Sequence, residues 1–176
     1  MRSCDRDRGA FEVPGLVKLA IAFAVLGLLG YDGFQTIATH LKAESDAQNA
    51  AYAASQKWLQ AETDSSGTES PTADLAYQAA LIYLASNQSA SCRAELTAES
   101  QGGTPATIPK GCDFVCTGAA NQATDCGSHG KFVVDRDGTV HLVVRREAKT
   151  LIFGHLGFLH SMLVAYEQGD ANQEQD

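Results

Sequence analysis

Cations are scarce in this sequence, and so are the motifs that announce chemistry. Lys and Arg total 13 against 21 Asp and Glu, for a formal charge of −8 over 176 residues. A nucleic-acid surface needs clustered cations to displace phosphate counterions, so no nucleic-acid partner is expected. There is no GxSxG elbow, no phosphate-binding loop and no Gly-rich dinucleotide fingerprint. The five histidines (His40, His129, His141, His155, His160) lack the i, i+4 spacing that sets two imidazoles on one helical face. His160 beside Ser161 is a bare adjacency. Nothing here argues for an enzyme or calls for a cofactor. Proline is limited to four residues, and residues 36–61 contain neither Pro nor Gly. No backbone breaker therefore interrupts a helix there.

What is present is one long apolar run. Residues 16–31 read LVKLAIAFAVLGLLGY, with Lys18 as the only charge. Residues 19–31 alone are shorter than the roughly 20 residues a bilayer needs. Lys18 can lift its ammonium to the headgroups, while Phe34 and Ile37 lengthen the apolar face at the other end. Arg2, Arg6, Arg8 and Lys18 precede the apolar core and only Lys42 follows closely. The positive-inside bias then leaves residues 1–14 in the cytoplasm, 15–35 across the membrane and the remainder outside. A cleaved secretory signal is the competing reading, with Thr36-Ile37-Ala38 as a mediocre cleavage context. Either way the C-terminal part is exported. The first 39 residues carry four charges of each sign, so the whole net charge belongs to that exported part.

Beyond the membrane the same helix is expected to continue over residues 36–62, giving a rod of about 70 Å at 1.5 Å per residue. Ile37, Leu41, Ala47, Ala50, Ala51, Ala54, Trp58 and Ala61 form a small-residue stripe at helical spacing. The DSSGTES segment at 64–70 ends it. Ser70 as N-cap and Pro71 at the first helical position open a second helix, which buries Leu75, Ala79, Ile82 and Tyr83 and finishes near Ser86-Asn87. Residues 101–130 read as loop. Residues 131–134, the turn Asp135-Arg136-Asp137-Gly138 and residues 139–146 read as a hairpin, since Asp-Gly supplies the positive φ a tight turn requires. Residues 151–156 suggest a short helical turn, 158–166 a third strand, and 169–176 a polar tail. The fold class expected is α+β: a membrane-anchored helix, then an exported domain over 63–168 with a second helix on a small antiparallel sheet.

Five cysteines divide unevenly. Cys4 lies before the anchor, whereas Cys92, Cys112, Cys116 and Cys126 all fall in the exported part. Four thiols in an oxidising compartment read as two disulfides among three possible pairings, with a weak preference for Cys92 joining one of the later three. The alternative is zinc on Cys112-x3-Cys116 and Cys126-x2-His129, a spacing unlike that of regular zinc ribbons or fingers.

Three stretches carry a family likeness. Arg8-Gly9, Glu12 and the apolar helix ending Gly30-Tyr31-Asp32-Gly33 form the first. The second is DAQNAAYAA at 46–54, and the third is 140–165 with its alternating strand, TLIFG turn, Leu156-Gly157 and closing strand. In that order they resemble the TadE/TadG-like proteins, pseudopilin-like membrane components of tight-adherence pilus systems. The resemblance covers about half the chain. It implies a pilin-like layout, partners among pilus or secretion-system subunits including copies of itself, a processing site at Gly9, and Glu12 as the carboxylate that registers one subunit on the next. The reading from a different class is a secreted or anchored binding module, whose disulfide-stapled loop at 102–130 recognises an envelope ligand.

Overall fold

The structure, a computed structural model, describes residues 13–64, 72–100, 109–118 and 124–172. Glu12, Gly9, Cys4, Ser70 and Pro71 lie outside the described residues. Helix α1 (Val13–Asp64) runs unbroken for 52 residues, about 78 Å. Helices α2 (Ala73–Ser86) and α3 (Ala90–Ser100) follow. Strands β1 (Asp113–Val115), β2 (Val133–Val134), β3 (Val140–Glu147) and β4 (Val164–Ala171) form one antiparallel sheet. The α+β, pilin-like layout expected from the sequence is the one observed.

Strand β3 organises the sheet. β4 pairs along its whole length, from Val140↔Ala171 to Glu147↔Val164. β1 pairs with residues 144–146 and β2 with residues 140–141. The β2–β3 turn closes as the sequence predicts, with Gly138 at φ +82° and its N–H on the Asp135 carbonyl at 3.1 Å. α1 and α2 cover one face of the sheet. Their alanines, with Leu81, Leu84, Leu96, Phe114, Val140, Leu142 and Val144, make the main core.

The upper part of α1 is thus inside the domain. Ala43, Ala47, Ala50, Ala51 and Ala54 are fully buried, and small side chains let the strands come close. A Cβ on Gly169 would sit 2.2 Å from the Ala47 carbonyl oxygen, so only glycine fits where β4 crosses α1. Trp58 is half-buried against the Gly138 turn, a Cβ there meeting its ring at 3.1 Å.

Several expectations change. The predicted stripe on α1 holds at Ala47, Ala50, Ala51, Ala54 and Trp58 but fails at its lower end: Ile37 and Leu41 are exposed, while Asp32, Thr39, Asp46 and Ser55 are buried. In α2 the buried residues are Ala76, Ala80, Leu81, Leu84 and Ala85. Leu75 and Ile82 face out, because α3, absent from the sequence reading, packs on the other side. The N-cap of α2 is Thr72, with no side-chain capping bond. Residues 157–162 are a 3₁₀ turn rather than strand. Residues 169–171, expected to be tail, are the end of β4.

Candidate functional site

Each of the four cysteines beyond α1 is bonded. Cys92 joins Cys112 across 20 residues and Cys116 joins Cys126 across 10. The first ties α3 to the start of β1, where Gln88 also grips the Asp113 backbone: its Oε1 accepts from the Asp113 N–H at 2.9 Å. The second closes the loop leading to His129. With every one of these sulfurs in an S–S bond, the Cys112/Cys116/Cys126/His129 set has no thiolate to offer zinc.

The place where α1 meets the foot of the sheet is built around one aspartate. Asp32 has no exposed surface, and its carboxylate accepts three backbone hydrogen bonds, from Leu151 (2.8 Å), Ile152 (2.7 Å) and Phe153 (2.8 Å). Three successive N–H groups at the start of a 3₁₀ turn form a nest that suits an anion. The sequence marks Asp32 only as part of Gly30-Tyr31-Asp32-Gly33 at the end of the apolar helix. Its partners stand about 120 residues away, and nothing local could reveal them.

Higher along α1, Arg146 lies between two carboxylates. Its Nη1 donates to Asp113 Oδ2 at 2.6 Å and stands 3.8 Å from Asp46 Oδ2. Burial raises Asp113 well above the usual carboxylate range; the Arg146 guanidinium opposes this and the nearby Asp46 adds to it. One guanidinium cannot balance two buried carboxylates, so Asp113 holds its proton more tightly than a lone aspartate. Asp46 Oδ2 and Asp113 Oδ1 have no other hydrogen-bond partner, and a shared proton would satisfy both. On α2 and α3, the Tyr77 hydroxyl donates to Glu99, and burial raises both groups.

A cleft of about 440 Å³ opens beside β4, lined by His40, His129, Arg145, His160, Ser161, Val164 and Tyr166. Histidines far apart in sequence are therefore gathered by the fold, contrary to the reading from spacing. His129 stacks on Tyr166, centroids 3.9 Å apart and planes within 4°, and Arg145 lies 6.0 Å from the same ring. His40 Nδ1 donates to Glu167 at 2.8 Å. The lining suits a planar or anionic group. Among the described residues no cluster of three His, Cys, Asp or Glu side chains could hold a metal ion.

α1 is, among the described residues, the one helix long and apolar enough to cross a membrane. Its apolar residues from Leu16 to Tyr31 are exposed, and the first residue of the helix that the head engages is Asp32. No family model matches the chain, and neither the curated proteins nor the solved structures contain a match.

Proposed function

We propose that this chain is a non-enzymatic, membrane-anchored structural or assembly component of a tight-adherence (Flp-type) pilus or a related secretion apparatus, with its head outside the cytoplasm. The observation that carries this reading is the division of α1. One continuous helix offers an uncovered apolar half to a bilayer and supplies the core of an α+β head with the other half. That layout delivers a rigid head at a fixed height above a membrane, which an assembling subunit needs. Two disulfides in the head agree with an oxidising compartment.

The Asp32 clamp favours retention of the anchor over cleavage of a signal. A cut after Ala38 would remove Asp32 and leave the Leu151, Ile152 and Phe153 amides without their acceptor. The test is deletion of the gene together with cross-linking of the native protein in membranes. Loss of surface fibres or adhesion, with cross-links to pilus-system subunits, is expected. Unchanged fibres and adhesion, with fractionation away from every such subunit, would contradict it.

The cleft at His129 and Tyr166 favours a second reading, an anchored module that binds an envelope ligand. Purified full-length protein in detergent should then retain cell-wall or envelope polymer, and His129→Ala should abolish retention. Because α1 forms the core, residues 64–176 alone would lack the surface on which the sheet folds.

A further inference from the structure

We propose that the β3–β4 connection, residues 151–162, is a second membrane contact, lying in the bilayer interface beside the point where α1 emerges, with Phe158 and Met162 among the lipid chains. This inference rests on the reading of residues 15–35 as a membrane anchor.

Its position follows from the register. Val140 begins β3 near the Trp58 end of α1, and β3 then descends to Glu147; β4 starts at Val164 and climbs back. The link between them is therefore at the foot of the head. The Asp32 carboxylate fixes its height, since Leu151, Ile152 and Phe153 are hydrogen-bonded to the residue that directly follows the apolar run.

Its surface is apolar and uncovered. Leu151 is 58 % exposed, Leu156 36 %, Met162 63 % and Phe158 78 %, the last exceeding every large apolar side chain of α1 from Leu16 onward. Large apolar side chains clustered on a surface mark an interaction site. Continuity with the span says what covers this one. Gly33, Thr36 and Ile37 of α1, Phe153, Leu159 and Met162 of the link, and Leu163 just after it line one mainly apolar cavity of about 320 Å³, and Phe34 of the same turn is exposed. The apolar surface of the helix thus continues onto the link, with Thr36 the one polar residue in the shared lining.

The polar groups fit the same location. In a chain of net charge −8, residues 148–163 contain no Asp or Glu but do contain Lys149, His155 and His160, all exposed. Cationic or neutral groups around an apolar patch suit a headgroup layer, where carboxylates would be repelled by anionic lipid. The link also satisfies much of its own backbone through short turns. His155 donates to Ile152 (3.0 Å), Leu156 to Phe153 (3.0 Å), Leu159 to Leu156 (2.8 Å) and Leu163 to His160 (3.1 Å). Few donors are left bare where water thins out.

The test uses the full chain in vesicles of phosphatidylcholine brominated on its acyl chains mixed with phosphatidylglycerol. Trp58, the single native tryptophan, stands 26 residues beyond Asp32 on α1, about 39 Å further from the bilayer, and serves as the internal control. In Trp58→Phe/Phe158→Trp protein, emission should be blue-shifted and strongly quenched by the brominated lipid, while wild-type Trp58 emission is unchanged. Leu156→Trp on the same background provides a second reporter should Phe158→Trp misfold. Protein that floats with the vesicles yet shows no quenching at either position overturns the proposal and leaves the anchor reading standing. A blue shift without quenching also overturns it, by showing a protein neighbour or a second copy over the patch. Failure to float removes both readings together.

Discussion

The two halves of α1 invert the usual relation between hydrophobicity and burial. Below Asp32 the helix is rich in Leu, Ile, Val and Phe and buries almost nothing; above it, Ala, Thr, Ser and Asp make the buried face. Apolar side chains need only an apolar surrounding, which a bilayer supplies as well as a core does. What packing against a sheet demands is closeness, and alanine supplies that. The lower half therefore does its work by composition, the upper half by shape, and substitutions should behave accordingly.

The largest effect is expected at the boundary between the halves. Asp32→Ala strands three backbone donors and should destabilise the head by about 4 kcal/mol, read by chemical denaturation in detergent. Gly169→Ala drives a methyl into the Ala47 carbonyl and should cost about 3 kcal/mol. Removing the Cys92–Cys112 bridge as the double serine variant frees a 20-residue loop in the unfolded chain and should cost about 3 kcal/mol, with the Cys116–Cys126 bridge slightly less. By contrast, Phe23→Ser in the lower half should leave head stability within about 0.5 kcal/mol of wild type and lower the fraction of protein recovered in membranes.

The remaining effects are electrostatic and oppose the usual acid lability. Asp113 is raised on folding, so the folded chain binds its proton more tightly than the unfolded chain. Its contribution is present at acidic pH and fades as pH climbs from the carboxylate range toward neutrality; Asp113→Asn should flatten that slope. His141, bonded to Asp170 at 2.6 Å, is also raised, principally by that bond. Its part is complete below pH 6.5 and lost as pH rises through the higher folded value. Exposure to solvent keeps it small.

How legible each part was follows the same division. The apolar run, the unbroken helix and the Asp-Gly turn are local signals, and the structure bears them out. The stripe on α1 was legible from Ala47 to Trp58 but not at its lower end, where Ile37 and Leu41 face out and Asp32 and Thr39 are buried, their oxygens satisfied by distant backbone donors or by the helix's own carbonyls, as Thr39 is by Gln35. α3 was missed because ASCRAELTAES has only Leu96 as a large apolar residue and owes its place to packing on α2 and to the Cys92 bridge. The end of β4 looked polar because Gly169 is needed for closeness, not hydrophobicity. The histidine cleft draws on four segments between residues 40 and 166, a gathering that spacing cannot show.

The account depends on the two halves of α1 remaining one helix in the mature protein. Intact mass of the native, membrane-extracted chain, before and after reduction, tests this directly. A mature chain that retains residues 15–64 and gains four hydrogens in the head on reduction is the predicted result. A mature N-terminus beyond Asp32, or a mass unchanged by reduction, would contradict it.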